Sequence, residues 1–351
     1  MKYFVNFSMH RLSKNLGWYM VALAALGFLV YQTPKDSFGD VFRQISWPWI
    51  ASAVFFQIGA HTLSAFRWNL LLRANEIHIA KMYTIRLTFL GLFYNNVMPG
   101  GIGGDLLKGW YVTRHSPETK RVEAAITVCV DRVIGLLGII LIGSIASIFV
   151  ESHISYQGFQ LRWLPLILLS LVSTLTFLFF CNKLHKTRSI RQLLLKLPFA
   201  KVLSQIDQAV RFYKHHTTTV LQSLFLTLIL QLTGLLAFWC LTQSLHFTSI
   251  RFVHCLVIMP FTSIVSAAIP VPGGMGVVEG CIMYLFCVVI NPDNPVTAMG
   301  QAAALALINR IVILYVCSLP GLLVPLLGGH LPKGKDLVEA VTKNAIAANL
   351  S

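Results

Sequence analysis

The chain has 351 residues, 56% hydrophobic and 12% charged, with a mean hydropathy of +0.69 and a formal net charge of +15. So little charge over so long a chain excludes an ordinary soluble enzyme. The basic excess, which in a soluble protein would suggest nucleic acid, records membrane sidedness here, because Lys and Arg are retained in cytoplasmic loops.

Residues 1–15 carry Lys2, Arg11 and Lys14 and precede an apolar run at about 16–31. That pattern reads as a signal anchor kept as the first span in preference to a cleaved signal peptide. A second span is expected at about 48–66, closed by Arg67–Trp68, where Arg67 reads better as an interfacial anchor than as a ligand group. An apolar region at about 82–98 then runs into "PGGIGGDLLK", residues 99–108. Further spans follow at about 122–150 and 163–181. The stretch 182–216 holds eight bases and one acid, Asp207, among Ile190, Leu193, Leu194, Leu197, Val202, Leu203 and Ile206, with a break at Pro198. It fits either an amphipathic helix on the inner leaflet or a solvated topogenic loop. After a span at about 217–243, a second apolar region at 252–270 runs into "PVPGGMGVVEG", and the last span lies at about 296–326. Most of these runs approach the ~20 residues needed to cross a bilayer. The seven cysteines fall in apolar segments with no CxxC pair, and the eleven histidines are scattered, so no metal site and no cofactor are expected.

Sorting the charges decides the topology. If both glycine regions belonged to complete crossings, the basic 182–216 loop would lie outside, against the positive-inside rule. If each region enters the membrane and returns to its own side, residues 1–15, 67–81, 114–121, 182–216 and 327–351 all lie inside, with 20 bases and 5 acids. The outer loops then balance at 4 and 4. The expectation is an all-α polytopic membrane protein with six full crossings, two re-entrant hairpins and both termini in the cytoplasm. Residues 1–330 would form one membrane domain, its halves 16–150 and 217–326 joined by 182–216, with 331–351 a cytoplasmic tail.

The glycine motifs align as a repeat. Pro99, Gly100, Gly101 and Gly103 match Pro272, Gly273, Gly274 and Gly276. Asp105, after Gly104, answers to Glu279, and Arg132 in "VDRVIGLL" answers to Arg310 in "INRIVILY". Hairpins entering from opposite faces would make this an inverted repeat, the architecture of transporters that alternate access around a midplane site. Irregular backbone at membrane depth is tolerated where it is buried in protein or lines a wet cavity. A half-helix starting near Asp105 or Val277 would aim free N–H groups inward, suiting a phosphate or carboxylate, and Lys108 one turn on would add a cation. Close packing between helices is the competing explanation for the glycines. Asp131–Arg132 reads either as a structural ion pair locking two helices or as part of the cavity. Arg310 has no acid beside it, so Glu279, Asp105 or an anionic ligand is its expected partner.

In this order and spacing, "NNVMPGGIGGDLLKGW", "VDRVIGLL" and "IPVPGGMGVVEG" resemble the lysylphosphatidylglycerol synthase transmembrane-domain family, also described as flippase-like or UPF0104 membrane proteins. The resemblance covers roughly residues 15–330 and implies an integral protein of the inner membrane. It places the family signature on Pro99 to Asp105 with Lys108 as the basic position, the DR pair on Asp131 and Arg132, and the second signature on Pro272 to Glu279. Val278 departs from it, since relatives often carry a base there. Together with Asn96 and Arg310 these are the candidate substrate-binding residues. Residues 327–351 leave no room for the soluble aminoacyl-transferase domain of the bifunctional relatives, so synthesis is not expected.

The leading expectation is a lipid translocator for an anionic or zwitterionic phospholipid or glycolipid, working by alternating access and serving a separate lipid-modifying enzyme. An intramembrane transferase, glycosyltransferase-like, is the alternative, although no DxD pair, HxxxH or GxSxG is present. A non-catalytic membrane subunit is the third reading, and it predicts replaceable acids and arginines.

Overall fold

The computed structural model describes residues 44–97, 103–149, 155–156, 159–160, 216–247, 250–269, 271–290 and 295–326, together with Gly27. Apart from Gly27, the expected spans at 16–31 and 163–181, most of 182–216, the tail, and Pro99, Gly100 and Gly101 lie outside the described residues.

Helix α1 (Trp47–Ala74) opens with Pro48 in its first turn, where a missing N–H costs nothing. The short helices α2 (Lys81–Val97) and α3 (Gly103–Arg114) follow, then α4 (Arg121–Phe149). A two-residue antiparallel pair, β1 (Ser155–Tyr156) and β2 (Phe159–Gln160), is the one departure from helix among the described elements. The second half repeats the order: α5 (Thr217–Ser244), the short α6 (Phe252–Ala268) and α7 (Val277–Ile290), then α8 (Pro295–Ile308). Helix α8 widens into a π-turn at Asn309–Tyr315, tightens at Val316–Ser318 and ends as α9 (Leu319–Leu326). Four helical stretches, Trp47–Ala74, Glu118–Ile145, Thr217–Ser244 and Ala298–Val324, are long and apolar enough to cross a membrane. They coincide with four of the six expected spans.

Helices α1 and α5 pack antiparallel: Ser46 N donates to Ser244 O at 3.0 Å at one end, and Arg67 Nη1 donates to Thr227 Oγ1 at 3.0 Å towards the other. The two short-helix hairpins have their open ends at opposite ends of this pair. At the base of α2–α3, Tyr83 lies against His115 with ring centroids 4.9 Å apart. There Lys120 Nζ donates to Asn75 O, just past the end of α1, at 3.3 Å. The base of α6–α7 instead sits beside the end of α5, where Phe247 meets Phe286 at 5.4 Å. Antiparallel long helices with hairpins opening at opposite ends are the geometry an inverted repeat requires.

The larger core gathers Phe238, Leu241, Ile258, Leu285 and Phe286 from the second half, and a smaller one holds Trp68, Leu72, Leu87, Leu107 and Tyr111. Large apolar side chains also cover the outside, including Phe55, Leu221, Phe225 and Leu323. An outer surface this apolar is expected where acyl chains are the solvent.

Close backbone contact holds the first hairpin shut. A Cβ on Gly104 would lie 1.7 Å from Gly91 O, so α2 and α3 touch with no room for a methyl group. Gly104→Ala is expected to force the two helices apart and lower unfolding stability by at least the ~1–3 kcal/mol typical of overpacking. Thermal unfolding of the purified variant in detergent measures it.

Candidate functional site

Each hairpin carries an acid at the third residue of its returning helix, and each acid takes an arginine from the following long helix. Helix α3 starts at Gly103, and Asp105 Oδ2 accepts from Arg132 Nε on α4 at 2.6 Å. Helix α7 starts at Val277, and Glu279 Oε1 accepts from Arg310 Nε in the π-turn. Helix α7 begins at the expected Val277, because the chain cannot resume helical hydrogen bonding until the Pro–Gly break at 272–276 is past.

The second tip can be followed residue by residue. Pro272–Gly274 forms a tight turn, with Gly273, Gly274 and Gly276 at φ of 56°, 62° and 80°. This left-handed backbone favours glycine and turns the Gly273 carbonyl toward Arg310, whose Nη1 and Nη2 both lie 3.3 Å from it. Glu279 Oε2 accepts from Gly276 N at 2.8 Å, so the carboxylate satisfies a free N–H of the helix start while neutralising the arginine. Both side chains are 3% exposed.

The first pair is open by comparison. The Asp105 side chain is 12% exposed and that of Arg132 56%. Oδ1 of Asp105 is buried and lacks a hydrogen-bond partner among the described residues. Arg132 stands eleven residues into α4, ~16 Å along its axis. That is about half of the ~30 Å hydrocarbon thickness. An arginine open to its surroundings at such depth needs a polar path or an anionic companion.

The two tips meet. Asn96, near the end of α2, packs its backbone against Gly273, where a Cβ would lie 3.4 Å from Asn96 O. Asn96 Nδ2 donates to Leu314 O at 2.7 Å, in the widened turn of α8. Asn95 Oδ1 accepts from Gly104 N at 2.8 Å and so caps the start of α3. The Asn–Asn pair ahead of the first motif therefore ties one hairpin to the other half and closes its own tip.

Two sequence readings are corrected. Asp131 and Arg132 are not partners: successive helical residues point about 100° apart. Asp131 Oδ1 instead accepts from Arg67 Nε on α1 at 2.8 Å, and Arg132 turns to α3. Arg67 is accordingly no interfacial anchor. It is 5% exposed, and it also donates from Nη2 to Asp131 O at 3.2 Å and from Nη1 to Thr227. This buried knot fastens α1, α4 and α5, and the sequence reading missed Arg67, Thr227 and Asn95 as working parts of the site. Lys108 is buried with Nζ 4.6 Å from the centre of the Trp68 ring, and no carboxylate lies within ion-pair distance of it among the described residues. Trp68 is itself held by Nε1 donating to Thr127 Oγ1 at 3.1 Å. At the base of the first hairpin, outside the spans, the hydrogen bond and charge of Lys120 hold the Glu76 carboxyl below its ordinary range.

A UPF0104 membrane protein of Pyrococcus horikoshii is 27% identical over 86 residues, which cover 24% of this chain and 26% of that protein. The match thus spans about a quarter of each sequence. Residues 16–321 match the family described as the lysylphosphatidylglycerol synthase TM region. This membrane protein, with its paired hairpins and long apolar helices, belongs to the family of the lysylphosphatidylglycerol synthase transmembrane region.

Proposed function

We propose that the protein is a lipid translocator of the cytoplasmic membrane, carrying a phospholipid or lipid-linked head group between leaflets by alternating access. Six crossings would hold two re-entrant hairpins, with both termini in the cytoplasm. The short helices support re-entry. At 17 and 12 residues in one hairpin and 17 and 14 in the other, they extend about 18–26 Å, less than the ~30 Å hydrocarbon thickness.

The observation that carries the reading is the pair of acid–arginine contacts at equivalent positions of two oppositely directed halves, one closed and the other open. In this scheme the lipid phosphate reaches Arg132 and the α3 N-terminus while its tails stay among the acyl chains. Asp105 releases Arg132 to the phosphate and turns to a proton or a cationic part of the head group. Rocking of the halves opens the Glu279–Arg310 pair in turn, so that the site faces the other leaflet. Lys108, one turn beyond Asp105, adds positive potential behind the phosphate.

Purified protein in liposomes containing head-group-labelled lipids, followed by dithionite quenching, tests this. Wild type is expected to move label between leaflets faster than protein-free liposomes, and Arg132→Gln to slow it while unfolding at an unchanged temperature. Label movement no faster than in protein-free liposomes, with every lipid offered, would end the translocator reading.

A further inference from the structure

A second polar feature has none of the four ion-pair residues in its lining. A cavity of about 160 Å³ lies between the two halves, bounded by α1, α4, α5, α6 and the π-turn of α8. Its polar lining is Gln57, Gln231, Ser263 and Asn309, and none of its lining residues is titratable. Gln57 stands ten residues into α1 and Gln231 fourteen into α5. At 1.5 Å per residue these are ~15 and ~21 Å along helices about 42 Å long, close to mid-depth.

Three features make it more than a packing gap. Asn309 is 2% exposed, and its Oδ1 is buried with no hydrogen-bond partner among the described residues. A buried, unpaired amide oxygen is costly in apolar surroundings and calls for a donor. Pro260 lies inside α6 on the cavity wall, and because proline lacks an N–H, the Leu256 carbonyl loses its helical donor. The π-turn begins at Asn309 itself, and such widened turns concentrate at functional sites.

The chemistry selects the ligand class. Carboxamides and a hydroxyl both donate and accept, which suits hydroxyl groups. An ionised group would find no counter-charge there and pay its full desolvation. Arg310, next to Asn309, is already neutralised by Glu279. The volume is below the ~300–1,000 Å³ of pockets that swallow a drug-sized ligand, so it takes one small group while the rest of the molecule stays outside.

We propose that this cavity binds an uncharged, hydroxyl-rich group such as a glycosyl or glyceryl unit, so that the protein selects its cargo by hydroxyls as well as by charge. The inference rests on the translocator reading only in giving that group to a lipid.

Full-length protein in phosphatidylcholine nanodiscs, titrated with radiolabelled monoglucosyl-diacylglycerol, tests it, with diacylglycerol and free methyl glucoside as competitors. Saturable binding that diacylglycerol fails to displace is expected, weakened at least tenfold in Asn309→Leu and in Gln231→Leu. Without ligand, Asn309→Leu should unfold no earlier than wild type, because an unpaired oxygen has been removed. Displacement by methyl glucoside at matching concentrations supports the same chemistry with a soluble sugar as its source. Equal affinity for glucosyl lipid and diacylglycerol, or unchanged binding in both variants, overturns the proposal and leaves a cavity for water alone. Selective binding without label movement in the liposome assay would end the translocator reading and leave this one standing. Movement without hydroxyl selectivity would do the reverse.

Discussion

Arg310→Met will lower unfolding stability by about 3–5 kcal/mol, the range found when one partner of a buried ion pair is removed. Glu279 then keeps a charge in an environment where its side chain is 3% exposed, and the Gly273 carbonyl loses the guanidinium that faces it. Glu279→Leu should cost a similar amount, with Arg310 now the uncompensated charge. The double variant should recover most of either loss, since a buried pair exchanged for apolar groups of like size is often neutral. Recovery will be incomplete, because Gly276 N also loses its acceptor at the helix start. A double-mutant cycle in detergent, read by thermal or denaturant unfolding, is expected to give a coupling energy above ~2 kcal/mol. Losses that simply add would mean that the two side chains do not depend on each other, and the closed state of the second half would need another lock.

Much of this architecture is legible in the amino-acid sequence, for a physical reason. Proline and glycine interrupt helices by local chemistry, and in the second motif the turn at Pro272–Gly274 lies between two short helices. Four long apolar runs require long helices. Charge sorting places 67–81 with 114–121 and puts 244–251 on the other side. The contact of Lys120 with Asn75, and of Ser46 with Ser244, groups the same segments. The Arg310–Glu279 partnership is among the expected ones because a buried arginine demands an acid.

What the sequence hides is set by three-dimensional neighbours. Hydropathy ends the second span before Arg67, yet α1 continues to Ala74, because Asp131, 64 positions away, neutralises the charge. Nothing local in "VDRV" reveals that its two charges serve different helices, although helical geometry forbids them a shared direction. Asn309 sits unremarked beside Arg310 in sequence, and only a packed cavity makes its unpaired oxygen meaningful. The doubled Asn95–Asn96 ahead of the first motif is the one available hint that the end of α2 is tied to α3 and to the other half.

Asp105→Asn is the sharpest probe of movement itself, because it should separate transport from folding. The Asn carbonyl can still accept from Arg132, so the contact between α3 and α4 survives as a hydrogen bond to a charged donor. Transport should suffer far more. In the proposed cycle Asp105 holds Arg132 between loads and receives the displaced proton or cationic group through Oδ1, which has no partner among the described residues. A neutral amide keeps the contact with Arg132 but takes up neither a proton nor a cation. Losing one charge-assisted contact at the step that limits movement, worth roughly 1.5–3 kcal/mol, slows it about 10- to 100-fold. The expected result in liposomes is a loss of that size with the unfolding temperature shifted by no more than a few degrees. Glu279→Gln should behave differently, losing stability as well, because its partner is buried on every side. If Asp105→Asn moves label at the wild-type rate, the acid serves only to hold α3 against α4, and the open pair of the first half is a structural contact.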